Sequence, residues 1–248
     1  MAISASPARS RKAPDRAEAI EAQPFSLSRR SAAEGLGTAL LLAAVVGSGI
    51  AGERLAAGNV AIALLANALA TAGALFVLIL MFGPISGAHF NPVVTLAMAL
   101  RGEARWREVP AYVAAQLAGA VLGVLVAHLM FELPLVSFST HARTGASQLL
   151  SEFVATFGLI AVIFACMRHK TDAVPVAVAA YIGAAYWFTS STSFANPAVT
   201  IARGLTNSFA GIRPEDVLPF IAAQLIGTAA AVAFFAWLLP ARAANDAR

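Results

Sequence analysis

Two nearly identical stretches carry the polar residues that are best placed to act on a solute. They are HFNPVVTLAMAL at residues 89–100 and SFANPAVTIARGL at residues 193–205. Each holds an Asn-Pro motif, Asn91-Pro92-Val93 in the first and Asn196-Pro197-Ala198 in the second. An Asn caps a helix through its side-chain oxygen and a Pro suits the first helical position, so each motif predicts the start of a helix. The carboxamide N–H groups remain as hydrogen-bond donors for a neutral, hydroxylated solute.

The composition places the chain in a membrane. It is 59% apolar and 12% charged, against roughly 45–50% and about 25% in soluble domains. One core in a chain of 248 residues with a mean hydropathy of +0.74 cannot bury that much apolar surface. The single cysteine, Cys166, excludes an intramolecular disulfide and is interpreted as a small apolar residue near the end of a span. The sequence shows no nucleophile–base pair, metal cluster or cofactor motif, and the pI of about 9.8 requires no nucleic-acid partner.

We predict an all-α membrane protein with six transmembrane helices and two re-entrant half-helices. Apolar runs of about 17–25 residues indicate spanning helices, and they lie at residues 33–52, 60–82, 110–131, 148–167, 174–190 and 216–239. The runs that follow the Asn-Pro motifs, 91–100 and 196–205, are too short to span a bilayer.

The spans divide the chain into two halves that face opposite ways. The first repeat is predicted at 31–132 and the second at 147–240, joined by an extracellular loop at 133–146. Glutamates lie early in the first span of each half, Glu34 and Glu152, and AAQLAG at 114–119 parallels AAQLIG at 222–227. Because each half has three spans, an odd number, the halves form an inverted repeat, whose site usually lies at the midplane.

Charge predicts the orientation in the membrane. Residues 1–30 form a basic segment without the apolar run of a signal peptide, and we predict a disordered cytoplasmic tail there and a second one at 241–248. Of the 17 Lys and Arg residues, four fall in segments on the side of the membrane opposite the termini: Arg54, Arg143, Arg203 and Arg213. The positive-inside rule therefore predicts that both termini are cytoplasmic.

The motifs SGAHFNPVVTLA and SFANPAVTIA, the two glutamates and the paired AAQL sequences resemble the major intrinsic protein family, the aquaporins and aquaglyceroporins. The resemblance covers about residues 32–240. It implies an aquaporin-like bundle with one pore per subunit, assembled as a homotetramer in the lipid bilayer. It also implies that Glu34 and Glu152 are buried and hold the loops beside the half-helices. Val93 departs mildly from the alanine usual in the family's first motif.

The resemblance also implies a four-residue selectivity filter, counted from the two asparagines. The counted positions are Thr71, Ala184, Ser193 and Val199. All four are small or medium, and Val199 stands where the family usually has an arginine, so the constriction is expected to be wide. Arg203 lies one helical turn beyond Val199, and two interpretations stay open: its guanidinium reaches the outer vestibule, or it extends to the membrane interface.

The second motif also resembles a bacterial subgroup of aquaglyceroporins encoded with arsenic-resistance genes. That resemblance implies passage of small neutral solutes, from glycerol-like molecules to arsenite and methylated arsenicals, across a bacterial inner (plasma) membrane. A water- or glycerol-selective channel without an arsenic role is the alternative. A secondary transporter with broken helices is a further one, although such proteins usually place acids or histidines at the midplane.

Overall fold

The computed structural model of the protein describes residues 24–239. The predicted tails lie outside the described residues at 1–23 and 241–248. Within 24–239 the chain is helical and contains no β-strand. In chain order the helices are α1 (Leu27–Leu55), α2 (Val60–Ser86), α3 (Pro92–Leu100), α4 (Val109–Met130), α5 (Ala146–His169), α6 (Val174–Phe188), α7 (Pro197–Arg203) and α8 (Pro214–Leu238).

The first helix begins earlier than its apolar run. The Ser26 hydroxyl accepts a hydrogen bond from the Arg29 backbone N–H and so caps α1. The guanidinium of Arg30 donates twice to the Glu108 carboxylate, with both N–O distances 2.8 Å. Glu108 lies in the turn before α4. The predicted tail of residues 1–30 therefore extends too far, because capping and an ion pair hold residues 27–30 in the helix.

Five helices among the described residues are long and apolar enough to cross a membrane: α1, α2, α4 with its preceding turn, α5 and α8. The remaining predicted span, at residues 174–190, is shorter than the other five. Helix α6 has 15 residues, which is roughly 22 Å of helix against a hydrocarbon core of about 30 Å. A 3₁₀ turn at Thr171–Ala173 precedes it and extends the segment.

Each AAQL motif ends in a glycine where two helices approach closely. A Cβ atom on Gly119 would overlap the carbonyl oxygen of Gly35, so α4 packs directly on the backbone of α1. In the second half, a Cβ atom on Gly227 would lie 2.7 Å from the carbonyl oxygen of Phe153, where α8 packs on α5. Each half-helix lies between α4 and α8, and α3 and α7 contact each other. The packing therefore brings the two Asn-Pro motifs together.

Candidate functional site

The two asparagines cap their own helices and also bond to the opposite half of the chain. The Asn91 side-chain oxygen accepts from the Val93 N–H (3.1 Å), and that of Asn196 accepts from the N–H groups of Ala198 and Val199 (3.0 and 3.3 Å). These bonds confirm the predicted helix starts. The Nδ2 atom of Asn91 donates to the carbonyl oxygen of Ala195 at 2.8 Å.

The reciprocal bond has the same length, since Nδ2 of Asn196 donates to the carbonyl oxygen of Phe90 at 2.8 Å. A carboxamide nitrogen carries two hydrogens, so one remains on each asparagine after this bond. Both asparagines line the cavity. The cross-bonds were not foreseen from the sequence, because nothing in a motif's spacing reveals contact between the two loops.

Glu34 and Glu152 hold the loops that lead into the half-helices. Glu34 accepts from the backbone N–H groups of His89 (2.9 Å) and Phe90 (2.6 Å). Glu152 accepts from those of Phe194 and Ala195, both at 2.9 Å. Both carboxylates are fully buried, at 0% exposure.

A glutamine on the neighbouring helix completes each arrangement. Gln116 donates to Glu34 (2.8 Å) and to the Thr95 hydroxyl (2.9 Å). Gln224 donates in the same way to Glu152 (2.6 Å) and to Thr200 (2.9 Å). The two glutamates therefore bind backbone and amide donors, and neither lies on the wall of the cavity.

These bonds stabilise loops with an unfavourable backbone. Ala88 and Phe90 before the first motif have φ of +50°, and Ser193 and Ala195 occupy the matching places before the second with φ of +53° and +48°. Left-handed backbone at residues other than glycine costs on the order of 1 kcal/mol or more each and persists only where the surroundings impose it. The carboxylate bonds supply that constraint and aim the asparagines at each other.

A cavity of about 500 Å³ is lined by residues of both half-helices. Its lining includes Asn91 and Asn196 at the starts of the half-helices, Thr171 and Asp172 in the turn before α6, and Arg203, the last residue of α7; the part lined by Arg203 is called here the Arg203 end. Most of the wall is apolar. The cavity therefore offers few hydrogen-bonding positions: the asparagines, the polar side chains at the Arg203 end, and His89, Thr171 and Asp172 elsewhere on its wall.

Three of the four counted filter positions lie on this cavity. Thr71, Ser193 and Val199 are buried in its wall near the Arg203 end. The prediction for Ala184 is wrong, since Ala184 is exposed on the outside of α6 and does not line the cavity.

Tyr186 occupies the place predicted for Ala184. Apart from Pro175 in its first turn, the lining residues of α6 form a stripe with a spacing of four, which consists of Val174, Val178, Ile182 and Tyr186. Residues four apart share a helix face, whereas a residue two positions away points to the opposite side. The Tyr186 hydroxyl lies 3.1 Å from the hydroxyl of Thr71 on α2. The cavity wall beside Thr71 thus contains one large aromatic side chain, and the expectation that all the lining side chains there are small or medium is corrected.

Arg203 does not extend to the membrane interface. Its side chain is buried, with 1% of the residue exposed, and it lines the cavity. Its Nε atom donates to the carbonyl oxygen of Ala210. Its guanidinium carbon lies 3.4 Å from the centre of the Phe194 ring, a cation–π contact. Of the two interpretations of the sequence, the structure supports the one in which the guanidinium reaches the vestibule.

Arg143, in the loop between the repeats, was not identified as a site residue from the sequence. Its guanidinium donates to the carbonyl oxygens of Gly211 (2.8 Å) and Ser191 (3.1 Å), and lies 5.0 Å from the centre of the Phe194 ring. Burial lowers the pKa of the Arg143 guanidinium. Arg143 therefore ties the connecting loop to the loop before α7, while Arg203 alone of the two lines the cavity.

Within residues 24–239, no group of three or more His, Cys, Asp or Glu side chains is arranged to hold a metal ion. Cys166 is half-buried on α5. The functional features of the described residues are thus the cavity, the paired asparagines and the polar side chains at the Arg203 end.

Comparison with known proteins identifies relatives over most of the chain. Residues 21–194 match the major intrinsic protein family. The chain is 56% identical over 221 residues to the aquaglyceroporin AqpS of Rhizobium meliloti (strain 1021), covering 89% of this chain and 94% of that protein. It is 36% identical over 95 residues to the glycerol uptake facilitator protein of Bacillus subtilis (strain 168), covering 34% of this chain and 35% of that one.

A solved structure shows the same fold. The aquaglyceroporin from Plasmodium falciparum aligns with a TM-score of 0.63 at 21% sequence identity, and the alignment covers 85% of this chain and 96% of that one. The predicted bundle with two half-helices is confirmed by this match.

Proposed function

Because the chain belongs to the major intrinsic protein family, whose members are membrane channels and not enzymes, we propose that it passively conducts glycerol-like solutes and neutral metalloid hydroxides such as arsenite or methylated arsenicals. The observation that carries the proposal is the cavity with paired asparagine donors at its centre and valine at position 199.

The cavity favours neutral solutes with several oxygens. Two helix N-termini with their positive dipole ends meet at its centre, which opposes the passage of cations. A hydroxylated solute accepts hydrogen bonds from the free N–H of each asparagine while its carbon or arsenic side contacts the apolar wall. Arsenous acid is uncharged at pH 7 and presents hydroxyl groups much as glycerol does.

The metalloid part of the proposal rests on Val199 and on the resemblance of the second motif to the subgroup encoded with arsenic-resistance genes. An arginine at position 199 would add a charged side chain to the cavity wall, whereas valine leaves that volume open. The opposing observation is Tyr186, which adds an aromatic ring at the same end and favours the alternative, a channel selective for water or glycerol.

The proposal includes the setting of the channel. The charge distribution supports an orientation with both termini in the cytoplasm, and the likeness to bacterial relatives supports a bacterial inner membrane. The family likeness supports a homotetramer in which each subunit has its own pore. Exposed large apolar side chains on α2, among them Leu65, Leu69 and Val77, supply surface for lipid or for neighbouring subunits.

Stopped-flow light scattering on proteoliposomes tests the proposal. We expect the full chain to accelerate the entry of glycerol and arsenous acid over protein-free liposomes, with methylated arsenicals entering as well. Acceleration of water and glycerol alone would support the alternative. No acceleration of any neutral solute by correctly folded protein would refute a channel role.

A further inference from the structure

We infer that Arg203 and Tyr186 form the specificity-determining pair of this channel, at positions other than those counted from the motifs. The inference deepens the proposed function, since it assigns the recognition of neutral hydroxylated solutes and the exclusion of cations at the Arg203 end to two named side chains. The role falls to Arg203 in α7 because the cavity position one turn nearer the motif is the apolar Val199.

The first observation is a buried cation that lines the cavity and has donors without a hydrogen-bond partner among the described residues. Arg203 is 1% exposed and its guanidinium has five N–H donors. Within the described part of the chain, the only hydrogen bond of its side chain is the one from Nε to Ala210. Buried polar groups normally have hydrogen-bond partners. Because Arg203 lines the cavity, a solute or a water molecule there can accept the hydrogen bonds of its terminal nitrogens.

The second observation is that the guanidinium is held in place. The Phe194 ring lies under it at 3.4 Å, and the carbonyl oxygen of Ala210 fixes its Nε atom. Phe194 itself belongs to the loop that Glu152 holds through the Phe194 N–H. A planar cation fixed in this way presents donors of constant geometry, which suits bidentate bonding to adjacent hydroxyl oxygens.

The third observation is the hydroxyl on the neighbouring wall. Tyr186 is 3% exposed, lines the cavity at the end where Arg203 lies, and shares a hydrogen bond with Thr71 at 3.1 Å. A phenol both donates and accepts, so Tyr186 can bond a solute hydroxyl while Arg203 donates to a solute oxygen. A neutral polyol satisfies both partners, whereas a monovalent cation meets the positive charge of the guanidinium.

The experiment compares matched arginine variants in proteoliposomes. Arg203→Met removes the charge and the donors but keeps an unbranched stem. Arg54→Met is the control, because Arg54 also lies against an aromatic ring (Phe131, 5.4 Å) and donates to a backbone carbonyl (3.2 Å), yet does not line the cavity. Two sets of quantities are measured for each variant. The first is the permeability to water, glycerol and the longer polyol erythritol, and the second is the rate at which protons and potassium ions leak across the membrane.

We expect Arg203→Met to raise cation leak by about tenfold and to raise erythritol permeability relative to glycerol, with Arg54→Met unchanged in both. Arg203→Lys should keep cation exclusion but lose part of the glycerol preference, because an ammonium lacks the planar fork. Tyr186→Phe should lower glycerol permeability relative to water without changing cation leak. These two variants retain most of the wild-type packing and test the pair even where Arg203→Met fails to fold.

The inference is overturned if the Arg203 variants and Tyr186→Phe leave both the solute ranking and the cation leak at the wild-type values. This outcome differs from failure of the proposed function. A wild-type protein that excludes arsenous acid but shows the expected changes among water, glycerol and erythritol would refute the metalloid proposal and support the pair.

Discussion

At the residue scale, position 199 is a direct test of what the wall of the cavity contributes. Val199 is buried in that wall, and its backbone N–H already serves the Asn196 cap, so a substitution changes the side chain without removing the cap. Val199→Arg adds volume and a second positive charge near Arg203. We expect the permeability to methylated arsenicals and erythritol to fall at least tenfold relative to water, as light scattering at equal protein per liposome will measure.

The control for this prediction is Val199→Thr, which has nearly the same shape and no charge. It should retain the wild-type ranking of solutes. If Val199→Arg also retains that ranking, the side chain at 199 does not govern passage and the count from the second motif has no functional meaning.

The paired asparagines give a second prediction at this scale. Asn91→Asp and Asn196→Asp place a carboxylate 2.8 Å from the carbonyl oxygen that the amide now bonds. The change replaces a donor by an acceptor, and leaving buried groups unpaired costs about 1–3 kcal/mol, more for charged groups. We expect lower thermal stability in detergent and loss of most glycerol flux.

Asn59→Asp serves as the matched control. Asn59 caps α2 through its side-chain oxygen, is exposed, and makes no cross-bond, so an aspartate caps equally well. Flux and melting temperature should stay at wild-type values. Equal behaviour of all three variants would argue against a special role for the central pair.

The site was predictable from the sequence where a residue acts through its own motif, and the family resemblance also located Glu34, Glu152 and Thr71. The proline that follows Asn91 and Asn196 indicates that each asparagine caps a helix. Ala184 was chosen by counting across a loop, and an error of two residues places a helical side chain on the opposite face. The four-residue stripe that ends at Tyr186 was readable from Val174, Val178 and Ile182, but an apolar helix in lipid has no polar face to show which stripe lines the cavity.

At the scale of elements, close helix packing depends on specific glycines. Gly119 lies where α4 crosses α1, and a Cβ atom there would overlap the Gly35 carbonyl oxygen. Backbone cannot yield as a flexible side chain does, so Gly119→Ala should destabilise the protein by about 1–3 kcal/mol, the usual cost of overpacking. The melting temperature of the purified protein in detergent should fall accordingly.

Gly73→Ala is the matched substitution within a helix. No atom lies within 4 Å of a Cβ built on Gly73, and alanine is favoured over glycine in helix interiors by up to about 1 kcal/mol. The melting temperature should stay constant or rise. A fall equal to that of Gly119→Ala would show that the effect belongs to glycine replacement in general and not to the crossing of α1 and α4.

Helix ends were predicted less well than helix identity. Apolar runs identify segments that lie in lipid, but the ends depend on caps and ion pairs made by polar residues. Ser26 and the Arg30–Glu108 pair extend α1 before its apolar run. Helix α7 ends at Arg203, shorter than the predicted 196–205, because the chain turns at Gly204.

At the scale of the whole molecule, the two halves are joined at their centre by two hydrogen bonds in opposite directions. Asn91 bonds the second half and Asn196 bonds the first, while each loop is also held by the glutamate of its own half. A carrier that exposes its site alternately must move one half against the other. In this protein such motion would break both asparagine bonds and leave buried groups unpaired.

The last prediction follows from this arrangement: solute flux should be that of a passive channel with no coupled counterflow. Glu34 and Glu152 are occupied by backbone and glutamine donors and do not line the cavity, so neither is placed to carry a proton with the solute. Entry of labelled glycerol into proteoliposomes should rise linearly with its concentration and should not be accelerated by unlabelled glycerol inside. The same rate should hold with and without a pH gradient. Saturation together with acceleration by internal solute would require the central bonds to open in each cycle and would identify the protein as a carrier.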